Sequence, residues 1–176
     1  MRAIHLSAYG NPVDGLAMVD VPEPKSPSAN EVLVAIEYSP INPNDLLVAQ
    51  GAYPLRPTLP SVIGNEGVGR VLAVGPGVTN VAVGDRVVPP RSSWVWRERM
   101  VIPAAGLFAL PRGADPKQLA MLAINPPTAS LLLSDYVDLN RGDFVVQNAA
   151  NSGVGRWVIA FAKTRGLRTV DRRAHV

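Results

Sequence analysis

A chain of 176 residues is long enough for one well-buried domain and part of a second. With 47% hydrophobic residues, 18% charged residues and a formal net charge of +3, it reads as globular rather than disordered. There is no cysteine, which excludes disulfides, a thiol nucleophile and a thiolate metal site, and the two histidines, His5 and His175, stand at opposite ends, so no metal site is expected.

Strand-like alternation begins at once, in Arg2-Ala3-Ile4-His5-Leu6. The start has neither the apolar run of a signal peptide nor the Arg- and Ser-rich helix of a transit peptide, and no apolar stretch approaches the roughly 18 residues of a membrane span. A cytoplasmic address with no membrane partner is the expectation. The arginines are scattered as far as Arg165, Arg168, Arg172 and Arg173. Nucleic acid is not an expected partner, because binding it requires basic residues clustered on one face.

Over the first two thirds, Pro and Gly punctuate short Val/Ile/Leu-rich runs. Residues 31–38 (EVLVAIEY), 67–74 (GVGRVLAV) and 85–88 (DRVV) predict strands, separated by turn-like segments at 22–27, 75–77, 83–85 and 89–90. Gly64, Gly67 and Gly69 are candidates for bends or bulges. Many short strands punctuated in this way predict an all-β, barrel-like domain over residues 1–114.

The texture changes at Asp115. Asp115-Pro116 reads as an N-cap followed by Pro at the first helical position, and residues 128–136 (TASLLLSDY) predict a second helix. Residues 143–147 (DFVVQ) form an apolar run of buried-strand type. It leads into a turn of small residues, 148–155 (NAANSGVG), then helical spacing from Trp157 to Thr164 and a strand start at 167–170. Strand, small-residue turn, helix and strand make the first unit of a doubly wound parallel sheet, so residues 115–176 predict the beginning of a Rossmann domain and the chain is α/β overall.

The dinucleotide fingerprint G-x-G-x-x-G needs small residues so that the backbone can approach a pyrophosphate at a helix N-terminus. Ala150, Ser152 and Gly155 occupy its three positions here, with Gly153 between them. The amides of Asn151, Ser152, Gly153 and Val154 would face the phosphates. A plain tight turn is the competing reading.

Several segments carry a family resemblance in order along the chain: SPINPND (39–45), QGAYP (50–54), GNEGV (64–68), VGPGV (74–78), GDRV (84–87), INPPT (124–128) and QNAANSGVG (147–155). They resemble the zinc-free medium-chain dehydrogenases/reductases, and within them the trans-2-enoyl thioester reductases and the quinone oxidoreductases. The resemblance runs from Met1 to about Val170 and implies a GroES-like barrel domain followed by the Rossmann domain. Zinc-dependent alcohol dehydrogenases of the superfamily carry Cys and His where this chain has Asn42 and Asn65.

The resemblance implies NADPH as cofactor, a 2-enoyl thioester or a quinone as substrate, and a possible homodimer. Reduction of the enoyl C=C bond puts hydride on the β-carbon and a proton on the α-carbon, through an enolate that needs hydrogen-bond donors. By resemblance Tyr53 is the donor, although a tyrosine in a Pro/Gly-rich loop also reads as a packed surface aromatic. Asn125, with Thr128 beside it, lies where the family contacts the nicotinamide end of the cofactor. Helix capping competes for both. Asn42, Asn44 and Asp45 either orient substrate or satisfy turn backbone groups.

The match breaks after Val170, where Asp171-Arg172-Arg173-Ala174-His175-Val176 replaces the apolar strand continuation of relatives. Arg172 and Arg173 would favour NADPH or form a basic tail. Three functions therefore stand at this point: an NADPH-dependent enoyl thioester reductase, a zinc-free quinone oxidoreductase, and an inactive fragment that only binds.

Overall fold

The computed structural model describes residues 1–172; Arg173, Ala174, His175 and Val176 lie outside the described residues. In chain order the elements are β1 (Arg2–Leu6), α1 (Pro12–Gly15), β2 (Leu16–Asp20), β3 (Glu31–Tyr38), α2 (Pro43–Gln50), β4 (Ser61–Val62), β5 (Val68–Val74), β6 (Arg86–Val87), β7 (Arg99–Pro103), α3 (Pro116–Leu119), α4 (Asn125–Ser134), β8 (Phe144–Gln147), α5 (Gly153–Thr164) and β9 (Arg168–Asp171). They form two compact units, one from Met1 to Ala120 and one beginning at Met121. The division falls after the change of texture at Asp115, because α3 touches β3 and β5 and stays with the first unit.

The first unit is built from two antiparallel sheets, ordered β2-β1-β4 and β6-β5-β3-β7. The Ile4 amide donates to the Trp96 carbonyl at 2.8 Å and the Glu98 amide to the Arg2 carbonyl at 3.1 Å, which joins β1 to the segment entering β7. Alternation in β3 buries Val32 and Val34 completely, against Val71 of β5, Val87 of β6 and Met100 and Ile102 of β7. The register between β3 and β5 slips between Ile36 and Tyr38, opposite Gly69, so this glycine marks a bulge. A second cluster packs Leu6, Val48, Ala49 and Ile63, with Tyr53, Trp94 and Trp96 against it. The two tryptophans are thus packing residues.

In the second unit β8 and β9 pair in parallel, Phe144 with Arg168 through Gln147 with Asp171, with α5 between them in sequence. Ala129 and Leu133 of α4 pack against Val158 and Ala162 of α5, with Leu167 completing the cluster. The reading of 143–147 as a fully buried strand needs correction. Val145 packs on this cluster, whereas Phe144 and Val146 are exposed, because no described element covers the opposite face of the two-stranded sheet.

The leucine at 133 is 2% exposed and has neighbours on both helices. Leu133→Ala should therefore cost about 2–5 kcal/mol of stability in this unit, through lost burial and a cavity that the small cluster cannot close. Hydrogen exchange of the α4 and α5 amides would measure it; unchanged protection would show that the cluster does not hold the unit together.

Candidate active site

The small-residue turn of the second unit is built by steric constraint. The strand β8 ends at Gln147, and Ala149 then takes a left-handed backbone with φ of 50°. The Ser152 amide donates to the Ala149 carbonyl at 2.9 Å, and Ser152 caps α5, its Oγ accepting from the Gly155 amide at 3.1 Å. A Cβ on Gly155 would lie 2.7 Å from the Ala149 carbonyl oxygen, so nothing larger than glycine lets helix and strand meet so closely. A Cβ on Gly153 would lie 2.9 Å from the Asn125 side chain. Asn125 therefore seats its amide directly on the turn.

The amides of Gly153 and Val154 open α5, and neither has a hydrogen-bond partner among the described residues. Together with the helix dipole they make an anion-binding end. Asn151 and Ser152 are exposed on the turn, while Val154 is half-buried against the α4–α5 cluster.

Asn125 is 8% exposed at the first residue of α4, but the cap position belongs to Ile124 and no side chain caps this helix. Thr128 is exposed, and its hydroxyl donates back to the Ile124 carbonyl at 2.7 Å. Sequence reasoning missed Asp171, at the C-terminal end of β9. Its carboxylate accepts from Gln147 Nε2 at 2.7 Å and from Thr169 Oγ1 at 2.8 Å. An acidic residue about 20 positions after the turn is the usual partner of the cofactor ribose, and this spacing was the signal available.

In the first unit, Tyr53 follows α2 and its amide donates to the Leu47 carbonyl at 3.1 Å. Its ring packs on the Leu6–Val48–Ala49–Ile63 cluster. Close in the same unit lies a buried polar group that spacing did not reveal. Asp45, 1% exposed, accepts from the Asn42 amide at 2.7 Å, from the Asn65 amide at 2.9 Å and from Asn65 Nδ2 at 2.8 Å. Glu66, also 1% exposed, accepts from Asn42 Nδ2 at 2.8 Å. Asp45 thus satisfies backbone groups at the start of α2, one of the two readings open from sequence. Among the described residues, no three His, Cys, Asp or Glu side chains gather as a metal-binding group.

A strand, a small-residue turn and a helix opened by that turn, followed by a parallel strand, define the first unit of a dinucleotide-binding type of sheet. The alcohol dehydrogenase GroES-like domain family matches residues 28–112. The mitochondrial enoyl-[acyl-carrier-protein] reductase of Caenorhabditis elegans is 42% identical over 171 residues, covering 97% of this chain and 50% of that protein. The quinone oxidoreductase of Escherichia coli, solved with NADPH, superposes with a TM-score of 0.86 at 28% identity, over 100% of this chain and 53% of its own. A mutant form of the enoyl thioester reductase of Candida tropicalis gives a TM-score of 0.84 at 28% identity, over 97% and 53%. The chain is similar to zinc-free medium-chain dehydrogenases/reductases, and it spans about half the length of the curated relatives it matches. Those relatives are named mitochondrial, and among the described residues no helix is long and apolar enough to cross a membrane.

Burial pushes the Asp45 carboxyl above its ordinary value of 3.8, outweighing the hydrogen bonds from Asn42 and Asn65 that lower it. A raised folded value means that the folded state holds the proton more tightly. The stability this group contributes is full below pH 3.8 and is lost as pH rises through the folded value. Asp45→Asn cannot titrate, so the stability of the variant relative to the parent should rise from acid to neutral pH. Denaturant unfolding across that range tests it, and a difference independent of pH would sink the assignment.

Proposed function

We propose that this chain carries the catalytic and cofactor-entry half of an NADPH-dependent reductase acting on the C=C bond of a 2-enoyl thioester. The observation that carries the reading is the α5 N-terminus. Two amides without a partner among the described residues, at Gly153 and Val154, open a helix against which the chain folds so closely that a Cβ at Gly153 or Gly155 would collide. That cradle fits a pyrophosphate, with Asn151 and Ser152 exposed at its rim. Asn125, fixed against Gly153, would hold the cofactor toward its nicotinamide end, with Thr128 one turn further along the same helix.

Gly153, Val154 and Asn125 would hold the dinucleotide, which when bound would supply the hydride for the β-carbon of the substrate. Tyr53 would then donate a hydrogen bond, and finally a proton, to the enolate that forms. Its ring, packed on the Leu6–Val48–Ala49–Ile63 cluster, would hold the hydroxyl in place. The choice of NADPH rests on neighbours solved with that cofactor, such as the Escherichia coli enzyme. Arg172 would favour the 2′-phosphate, and the Asp171 carboxylate beside it opposes that choice. Likeness to the quinone oxidoreductase supports a second reading, in which the same fold reduces a flat aromatic acceptor.

The test begins with NADPH and NADH titrations of the purified chain, read through Trp157, which is half-buried on α5 beside Phe161 with ring centroids 5.3 Å apart. Saturable quenching with NADPH the tighter ligand supports the proposal. NADH binding as tightly would assign Asp171 to the ribose, and no binding would mean that this chain by itself is not a cofactor-binding protein. Where binding is found, crotonyl thioester and a quinone are compared as substrates. Tyr53→Phe should fold normally and reduce thioester turnover by about 10²–10⁴-fold, the usual worth of a general acid. Full activity in that variant would remove Tyr53 from the chemistry.

A further inference from the structure

Arg70, Arg86 and Arg112 are far apart in sequence, yet they line one cavity of about 390 Å³ in the first unit, together with Val83, Gly84 and Leu110. Their positions are set by backbone pairing. Arg70 faces Arg86 across the β5–β6 ladder, the Gly84 amide donates to the Val71 carbonyl at 2.9 Å, and the Leu110 amide donates to the Arg86 carbonyl at 2.9 Å.

Hydrogen bonding divides the three guanidiniums. Arg70 is fully engaged, with Nε on Glu37 Oε1 at 2.9 Å, Nη2 on the same oxygen at 2.8 Å and Nη1 on the Gly84 carbonyl at 2.9 Å. Arg86 gives only its Nε to Glu37, at 2.6 Å, so both of its terminal nitrogens lack partners among the described residues. Arg112 has one distant contact, Nη2 to Asp85 at 3.7 Å, and its side chain is 92% exposed. Glu37 and Asp85 are the two carboxylates present, against three guanidiniums, so one positive charge is uncompensated. Burial raises the Glu37 carboxyl, but the hydrogen bonds and charges of Arg86 and Arg70 lower it further than burial lifts it, and Glu37 stays ionised.

We propose that this cavity is a binding site for a small phosphorylated anion, with Arg86 and Arg112 as the ligand-contacting residues and the Arg70–Glu37 pair as the frame that aims Arg86. Planar guanidiniums with free parallel N–H groups match phosphate oxygens two at a time, and they do so best where one member is largely buried; the Arg86 side chain is 20% exposed. The site is independent of the reductase reading, since every residue in it belongs to the first unit and none belongs to the turn that opens α5.

The experiment is isothermal titration of the chain with inorganic pyrophosphate, repeated on Arg112→Glu and on Gly153→Val. Gly153→Val blocks the α5 N-terminus, the other place where phosphate could bind. The expected result is saturable binding that weakens at least about tenfold in Arg112→Glu and persists in Gly153→Val. A parallel titration with adenosine diphosphate separates the sources: equal affinity points to an inorganic anion, tighter binding sensitive to Arg112 points to an organic phosphate, and both support the site. Absence of saturable binding overturns it. So does binding lost in Gly153→Val but untouched by Arg112→Glu.

Discussion

The carboxylate of Asp45 carries the heaviest constraint in the first unit. Almost fully buried, it must find donors or unfold its surroundings, and it finds three: the Asn42 amide at the start of α2 and both nitrogens of Asn65. These bonds fasten the helix to the segment between β4 and β5. The far end of the helix in turn fixes the loop that follows, since the Ala52 and Tyr53 amides both donate to the Leu47 carbonyl. Asn42 ties in the second buried carboxylate, Glu66. The loop that presents Tyr53 therefore depends on a polar cluster beneath it, and replacing one member would leave other buried groups unpaired.

In the second unit the constraint is steric. The strand β8 must turn into α5 within a few residues, and the approach is close enough that Gly155 nearly touches Ala149 and Ala150. Ala149 accepts a left-handed backbone, a conformation that disfavours any residue with a Cβ, to let Ser152 cap the helix. The outcome is a helix start with open amides facing outward and Asn125 seated on Gly153. Phosphate recognition by such an end requires no charged side chain, which is why a run of Ala, Asn, Ser and Gly suffices.

The parts of the fold set by local chemistry were legible in advance. Alternation in 31–38 matches β3 residue for residue, Asp115-Pro116 caps and starts α3, and the small-residue turn falls between β8 and α5. The strands that escaped were β2, which is mostly exposed and so carries little apolar pattern, β4, whose two residues are too few for any period, and β7, where only Met100 and Ile102 alternate inward. The strand β8 read as buried because an apolar run does not state how many faces a sheet has covered.

By itself the sequence determined the family resemblance, the absence of thiolate ligands, the place of the small-residue turn and the candidacy of Tyr53, because these reside in residue identity and short spacing. Only the tertiary structure decided which polar residues are buried and which charges meet. Asn42, Asp45, Asn65 and Glu66 become one hydrogen-bonded cluster by pairing across about twenty residues of intervening chain, shown by Asp45 bonding Asn65. Arg70, Arg86 and Arg112 look like scattered surface cations in the linear chain, yet the β5–β6 ladder and the Arg86–Leu110 backbone bond gather them around one cavity. Electrostatic interaction depends on distance in space, and strand pairing, which no local pattern encodes, sets that distance.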